Sequence, residues 1–429
     1  MKFRFLVLIS VLLAGCVQQR SQTEEDTSKL PPTLIVISID GARADYLDRY
    51  PTPALQTLAN EGIRADGLQP VFPSKTFPNH YSLMTGLHAE NHGIVDNNIY
   101  DPEFDTIFGM RIREEVENGR WWQGEPIWVT AEKQGLTAAT FFFPGSEAEI
   151  AGYRPSYWFN YDGSISNRDR VEQVIQWLEL PPAERPQLIT LYFSDVDSAG
   201  HGYGPNSTQV QEALFAIDAE IGHLLSELAA RGLRDEVDIM ITSDHGMKEV
   251  DQRNHVVVDT AFDSSLTRRV TYSREIVGIH PLPGETEALY ASLSANLPSD
   301  KVRILRKSEM PERFHYDRHR RIPELIVLAE PGVILVREFW LDTMQNSDDY
   351  LRPRGSHGYD NAIPEMHGIF VADGPSFKNQ ARVGVLRMVD LYNVMSTIIG
   401  VQPAPNDGDP QVIPVLLNET LLIESTQER

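Results

Sequence analysis

Three near-continuous apolar runs punctuate the chain: Leu34-Ile-Val-Ile-Ser-Ile39, Leu188-Ile-Thr-Leu-Tyr-Phe193 and Val237-Asp-Ile-Met-Ile-Thr242. Runs of this kind, rich in β-branched residues and lacking strict alternation, fit strands buried on both faces of a parallel sheet. Helical spacing lies between them. Residues 53–62 suit a short amphipathic helix closed by Gly62, and Arg170 to Leu180 has helical periodicity. Over 208–231, Val210, Leu214, Ile217, Ile221, Leu224, Leu225 and Leu228 share one face, and Gly232 closes the helix. A further strand is expected at 368–372 and a last helix at 390–399. Strands alternating with helices predict an α/β fold. Residues 250–350 break the pattern into shorter, mixed pieces with a strand at 326–328, and read as a smaller cap or insertion.

The N-terminus follows other rules. Lys2 and Arg4 precede the apolar run Phe5 to Leu13, which is too short to span a bilayer permanently and reads as a secretion signal over 1–15. It ends in Leu13-Ala14-Gly15-Cys16, similar to the cleavage box of bacterial lipoproteins. That similarity implies a lipidated Cys16. Val17 in the next position points to the outer membrane, with the protein facing the periplasm. Residues 16–32 are polar and end in Pro31-Pro32, a flexible tether. The catalytic domain is expected over 33–405 and a C-terminal tail over 406–429. Cys16 is the only cysteine of the 429 residues, so neither an internal disulfide nor a thiolate metal site is available. A net charge of −23 argues against non-specific binding to nucleic acid or to anionic bilayers, and no specific nucleic-acid binding is expected.

Chemistry concentrates where the strands end. The first runs into Asp40-Gly41, the second opens into a Gly-rich loop with Asp197 and His201, and the third ends in Asp244-His245-Gly246. His357 sits in a fourth Gly-flanked loop. Carboxylates beyond the carboxyl edge of a central sheet lie where open α/β folds build their sites. Three Asp and three His make two three-ligand sets of nitrogen and oxygen donors, which suit two Zn²⁺ ions, with Mn²⁺ or Co²⁺ also accommodated. Two dications outweigh three carboxylates, so the pocket attracts an anion. Thr76 opens a segment able to start a helix, where unpaired N–H groups favour an alkoxide and an anionic substrate. Together these residues suit in-line displacement at phosphorus. His80 lies beside the Thr76 turn. The aromatic stretch 119–165 offers core residues and a stacking platform for a flat ligand.

The combination Ile39-Asp-Gly41, Lys75-Thr-Phe-Pro-Asn-His80, Asn91-His-Gly-Ile-Val-Asp-Asn97, Gly124-Glu-Pro-Ile-Trp128, Pro144-Gly-Ser146, Asp197-Ser-Ala-Gly-His201, Ser243-Asp-His-Gly-Met247 and Gly355-Ser-His-Gly-Tyr-Asp360 resembles the nucleotide pyrophosphatase/phosphodiesterase family of the alkaline phosphatase superfamily, its bacterial members most of all. The resemblance implies a mixed, mostly parallel sheet between helix layers. It implies Thr76 as a nucleophile that forms a covalent nucleotidyl-threonine. Asp40, Thr76, Asp244 and His245 would surround one zinc, and Asp197, His201 and His357 the other. Asn97 would donate to a phosphate oxygen, and Phe77 with Tyr161 would sandwich the nucleobase, Tyr157 and Trp158 being alternatives to Tyr161. The expected activity is hydrolysis of nucleoside 5′-phosphodiester or pyrophosphate bonds. A diesterase acting on lipid or choline head groups and a phosphomonoesterase are the alternatives. A surface lipoprotein that only binds has no need of Thr76. A sulfatase requires a nucleophile that can be oxidised to an aldehyde, which threonine cannot supply.

Overall fold

The computed structural model describes residues 33–419. The expected signal at 1–15, Cys16, the tether to residue 32 and residues 420–429 of the tail lie outside the described residues. In chain order the strands that matter for the site are β1 (Thr33–Ile39), β2 (Ile63–Ala65), β3 (Ala138–Phe141), β4 (Tyr157–Trp158), β5 (Leu188–Phe193), β6 (Val237–Thr242), β7 (Thr267–Tyr272), β8 (Ile276–Pro281), β9 (Val302–Arg306), β10 (Leu325–Ala329), β11 (Phe370–Asp373) and β12 (Ala381–Val383). The helices are α1 (Pro53–Glu61), α2 (Thr76–Thr85), α3 (Ile127–Lys133), α4 (Asn167–Leu178), α5 (Asp195–Tyr203), α6 (Thr208–Ala230), α7 (Thr286–Asn296), α8 (Glu338–Gln345) and α9 (Leu391–Ile398).

Eight strands form the central sheet, in the order β12-β2-β11-β6-β1-β5-β3-β4. Every neighbouring pair is parallel except those made by β11, which runs against both β6 and β2. The fold is therefore α/β with a mixed, mostly parallel sheet. Every residue of β1, β5 and β6 is buried, which explains their near-continuous apolar sequences: both faces are covered. The helices gather into two packed groups, α1 with α4 and α6, and α2 with α3 and α9.

β1 is the pivot. It pairs with β5 up to Ile39↔Phe193 and with β6 up to Ser38↔Thr242. Three strand ends are thus level, and the residues that follow them emerge side by side.

Strands β7 to β10 form a separate antiparallel sheet in the order β7-β8-β10-β9. Leu325 and Val327 of β10 pack with Leu289 and Leu293 of α7 in one apolar cluster, while Ile326 and Leu328 belong to the main core. Alternate side chains of a strand point to opposite faces. This sheet therefore buries one face against its own helix and the other against the catalytic core. The C-terminal stretch is also seated on the domain as far as it is described. Asp407 accepts hydrogen bonds from the His88 N–H and Asn91, and Leu416 and Leu417 are buried.

Candidate active site

The level strand ends bring Asp40, Asp197, Asp244, His201, His245, His357 and Thr76 together. Gly41 makes the turn after β1 possible. It adopts φ +70°, and a Cβ there would lie 2.9 Å from the Cα of Asp197. Asp244 accepts a hydrogen bond from the Gly41 N–H through Oδ1 at 3.2 Å. Its Oδ2 lies 3.0 Å from His245 Nε2. Asp40 Oδ1 lies 3.5 Å from the same nitrogen. Thr76 is the first residue of α2, after the extended Lys75, and its Oγ1 is 3.4 Å from His245 Nε2.

Asp197 and His201 sit one turn apart. The sequence suggested a Gly-rich loop here; the chain forms helix α5 instead. Gly200 and Gly202 weaken helical propensity, but tertiary packing overrides it. A Cβ on Gly200 would come 3.0 Å from Met247, and one on Gly355 would come 2.5 Å from the Gly200 carbonyl, so the short strand Arg354–Ser356 just before His357 lies directly on the helix. Asp197 Oδ1 is 3.4 Å from His201 Nε2 and 3.6 Å from His357 Nε2.

The donor atoms fall into two sets, Asp40/Asp244/His245 and Asp197/His201/His357, each within 4.8 Å among themselves. Three features fit a cation in each. First, Asp40 Oδ1, Asp197 Oδ1 and Asp244 Oδ2 are buried without a hydrogen-bond partner, a costly arrangement unless a ligand completes it. Second, Nδ1 of each histidine lies 2.9 Å from a backbone carbonyl, Gly246 for His245, Gly355 for His201 and Ser74 for His357. Donation there leaves Nε2 as the free lone pair that a metal uses. Third, Nε2 of His201 and Nε2 of His357 face each other at 3.1 Å, and with both protons on Nδ1 neither can donate to the other.

The electrostatics agree. Burial, then the neighbouring carboxylates Asp244 and Asp197, hold the Asp40 carboxyl well above the usual carboxylate range. Burial also opposes ionisation of Asp244, but His245 and His80 outweigh it and hold that carboxyl below its ordinary value. Burial, reinforced by His245 and His201, keeps the His357 imidazole neutral. Crowded buried carboxylates, with the neutral His357 imidazole among them, are a ligand set that lacks only its positive charge.

The remaining predicted residues surround this centre. Asn97 Oδ1 accepts from the Phe77 N–H at 2.9 Å, which fixes its amide and leaves Nδ2 to donate. The Phe77 ring packs near Phe108 and Trp122, and Tyr161 packs near Phe142 and Tyr192. Tyr161 is 45% exposed. The alternatives Tyr157 and Trp158 form edge strand β4, and the Tyr157 hydroxyl donates to Glu184 O at 3.3 Å.

Three supports back these ligands, and the sequence had marked only one of them, His80, by its place beside the Thr76 turn. The Tyr192 hydroxyl donates to Asp40 Oδ2 at 2.6 Å; its one signal is a place beside the end of a central strand. His80 is wholly buried between Ser38 Oγ and the Thr76 carbonyl, each at 2.8 Å, and faces Asp244 Oδ2 at 3.4 Å. Lys75 and Ser356 both bond Glu275, and Lys75 also donates to the carbonyls of Ser273 and His357 at 2.8 Å. Glu275 begins the β8 side of the inserted sheet and had no signal in the sequence.

A sequence profile of the type I phosphodiesterase/nucleotide pyrophosphatase family matches residues 34–360. The chain belongs to this family. Mouse ectonucleotide pyrophosphatase/phosphodiesterase family member 1 is 35% identical over 412 residues, which is 92% of this chain and 44% of the mouse protein. An uncharacterized pyrophosphatase/phosphodiesterase of Schizosaccharomyces pombe is 36% identical, covering 89% of this chain and 80% of its own. A venom phosphodiesterase of Crotalus adamanteus is 35% identical over 87% of this chain and 46% of its own. The chain thus spans less than half of the mouse and snake relatives. Among solved structures, murine family member 5 superposes with a TM-score of 0.83 at 31% identity, over 90% of this chain and all of that one. An inactive threonine-to-alanine form of that protein is known in complex with AMP.

Proposed function

We propose that this family member is a zinc-dependent phosphodiesterase that cleaves nucleoside 5′-phosphodiester or pyrophosphate bonds through a covalent threonine intermediate. The observation that carries the reading is the Thr76 hydroxyl at the head of α2, 3.4 Å from His245 Nε2, beside two donor sets whose inward oxygens are unpartnered. Two divalent ions, held by Asp40, Asp244, His245 and Thr76 and by Asp197, His201 and His357, would supply the Lewis acidity that lowers the hydroxyl pKa and stabilises the departing oxygen. Thr76 Oγ1 forms the new bond to phosphorus as the bond to the leaving oxygen breaks in line. Asn97 Nδ2 donates to a non-bridging oxygen, as an oxyanion-hole group does. Phe77 and Tyr161 hold the base. Water then attacks the nucleotidyl-threonine and releases the 5′-nucleotide. The loss of activity in the threonine-to-alanine form of murine member 5, and its complex with AMP, support a threonine nucleophile and a nucleotide ligand.

Thr76→Ala should lower hydrolysis of p-nitrophenyl thymidine 5′-monophosphate by roughly 10³-fold or more, while metal content, measured by mass spectrometry, is retained. Retained hydrolysis would remove Thr76 from the role. A preference for p-nitrophenyl phosphocholine would keep the metals and Thr76 but overturn the base pocket, and a preference for p-nitrophenyl phosphate would overturn the reaction type. We also propose lipidation at Cys16 and an outer-membrane location in a bacterial envelope. Palmitate labelling that survives Cys16→Ser would refute it.

A further inference from the structure

On the side of the Asp197/His201/His357 set lies a cavity of about 410 Å³, a volume suited to a small-molecule ligand. His201, His357 and Asn97 form its inner end, and the inserted segment forms its outer wall. Phe77 and Tyr161, the proposed base holders, are not part of its lining. The cavity is therefore separate from the proposed nucleobase site and continuous with the donor set that does not include Thr76, the one left to face the departing oxygen.

Its charge is unexpected. The chain carries a net charge of −23, yet the outer wall presents two arginines, Arg274 and Arg337. Among the described residues no carboxylate pairs with either guanidinium, and neither donates a hydrogen bond. Lys75, the other cation of the lining, differs: it is fully engaged by Glu275 and by the carbonyls of Ser273 and His357. Arg274 holds an exposed turn with φ +62°, between β7 and β8. Arg337 lies over the Tyr272 ring at 5.0 Å, directly before α8. That helix has no buried residue, and Trp340 and Met344, one turn apart, face the cavity from it.

We infer that this cavity is the leaving-group subsite and that Arg274 and Arg337 select a leaving group that is itself a phosphate chain, such as pyrophosphate or a second nucleotide, over a neutral alcohol or phenol. The inference rests on the reaction proposed above, and it adds which half of the substrate the inserted segment reads. A guanidinium suits this task because its fork of donors matches phosphate oxygens. Trp340 and Tyr272 offer apolar faces beyond the phosphates.

The test compares kcat/KM for ATP, whose departing group is pyrophosphate, with kcat/KM for p-nitrophenyl thymidine 5′-monophosphate. Both arginines are exposed, so R274A/R337A should fold as the parent does, which a melting curve checks. Each lost charge-assisted contact is worth roughly tenfold, so the double variant should lose about 100-fold on ATP, and its ATP-to-ester ratio should fall at least tenfold. R274K/R337K keeps the charge and should retain part of the ATP preference, and the ATP advantage of the parent should shrink with rising salt. A ratio unchanged in the alanine variant overturns the subsite and leaves the active-site reading standing. A parent enzyme that hydrolyses neither substrate overturns that reading and the subsite with it.

Discussion

The two candidate metal-binding clusters use the same kinds of ligand but are built on different foundations. Asp40, Asp244 and His245 follow the ends of two paired central strands, and all three are buried. Asp197 and His201 stand on a nine-residue helix, with side chains 18% and 32% exposed, and His357 comes from a loop tied to the inserted segment. Strand ends clamped in the fully buried centre of the sheet cannot shift without breaking the ladder. A short helix containing two glycines, resting on a neighbouring strand, can. The first cluster should therefore be a tight, slowly exchanging site, and the second a labile one that also meets solvent and the departing group.

Chelation gives the largest effect. Prolonged EDTA should abolish hydrolysis, and native mass spectrometry during the treatment should reveal a species with one ion left. That ion should reside in the Asp40/Asp244/His245 cluster. Simultaneous loss of both ions would break the distinction. Next come the ligand variants. Asp244→Ala should cost roughly 10³-fold in kcat/KM, since several kcal/mol of charge stabilisation vanish. His201→Ala should cost less, about 10²-fold, and added Zn²⁺ should partly restore it because the site is open to solvent. Equal losses, with no rescue of His201→Ala, would make the two clusters equivalent.

The second cluster is also tied to the inserted sheet through the backbone of His357 itself. Glu275 of the inserted sheet binds both Lys75 and Ser356, and Lys75 reaches the carbonyl of His357. The pair is almost wholly buried, with side chains 6% and 1% exposed. Glu275→Gln leaves a buried ammonium without its counter-ion, a change worth about 3–5 kcal/mol. Thermal unfolding should show that loss, and metal analysis should show a weakened His357 cluster with the Asp40 cluster intact. A variant with normal stability and two tight ions would mean that Lys75 finds other partners.

This contrast also explains what could be read from the sequence. The first cluster was legible because each of its acids follows a near-continuous run rich in β-branched residues, and burial on both faces writes that pattern directly. Asp197 and His201 were legible as residues but not as a helix: Gly200 and Gly202 argue for a loop, and only the contact of Gly200 with Met247 and the nearby Gly355 makes the helix fit. Strands β2, β3, β4 and β12 are short, two to four residues each, and carry too little pattern to stand out. Tyr192, Glu275 and the arginines of the leaving-group cavity were invisible for a different reason. Their roles arise from contacts across the fold, which no local spacing records.

A single strand sharpens the comparison further, because β6 has a buried aspartate at each end. Asp244 beyond its carboxyl end keeps an unpartnered oxygen, as a metal ligand should. Asp238 near its start is equally buried but has both oxygens engaged, by the Ser376 N–H at 2.9 Å and the Ser376 hydroxyl at 2.7 Å. Burial nonetheless raises the Asp238 carboxyl from the ordinary 3.8 to about 6. The folded state then favours the protonated acid more than the unfolded state does. Its contribution is fully present below the unfolded value near pH 4 and is lost as the pH rises through about 6, a change of about 3 kcal/mol. Asp238→Asn keeps the shape, can still accept from the Ser376 N–H, and cannot ionise. Denaturant unfolding of the variant should lack the fall in stability that this group imposes between pH 4 and pH 6, and turnover should not change, because the residue lies at the opposite end of the strand from the ligands. A parallel pH profile for the parent and Asp238→Asn would show that Asp238 is solvated well enough to ionise normally, and that burial of a carboxylate in this sheet carries a cost only where its oxygens are left for a metal.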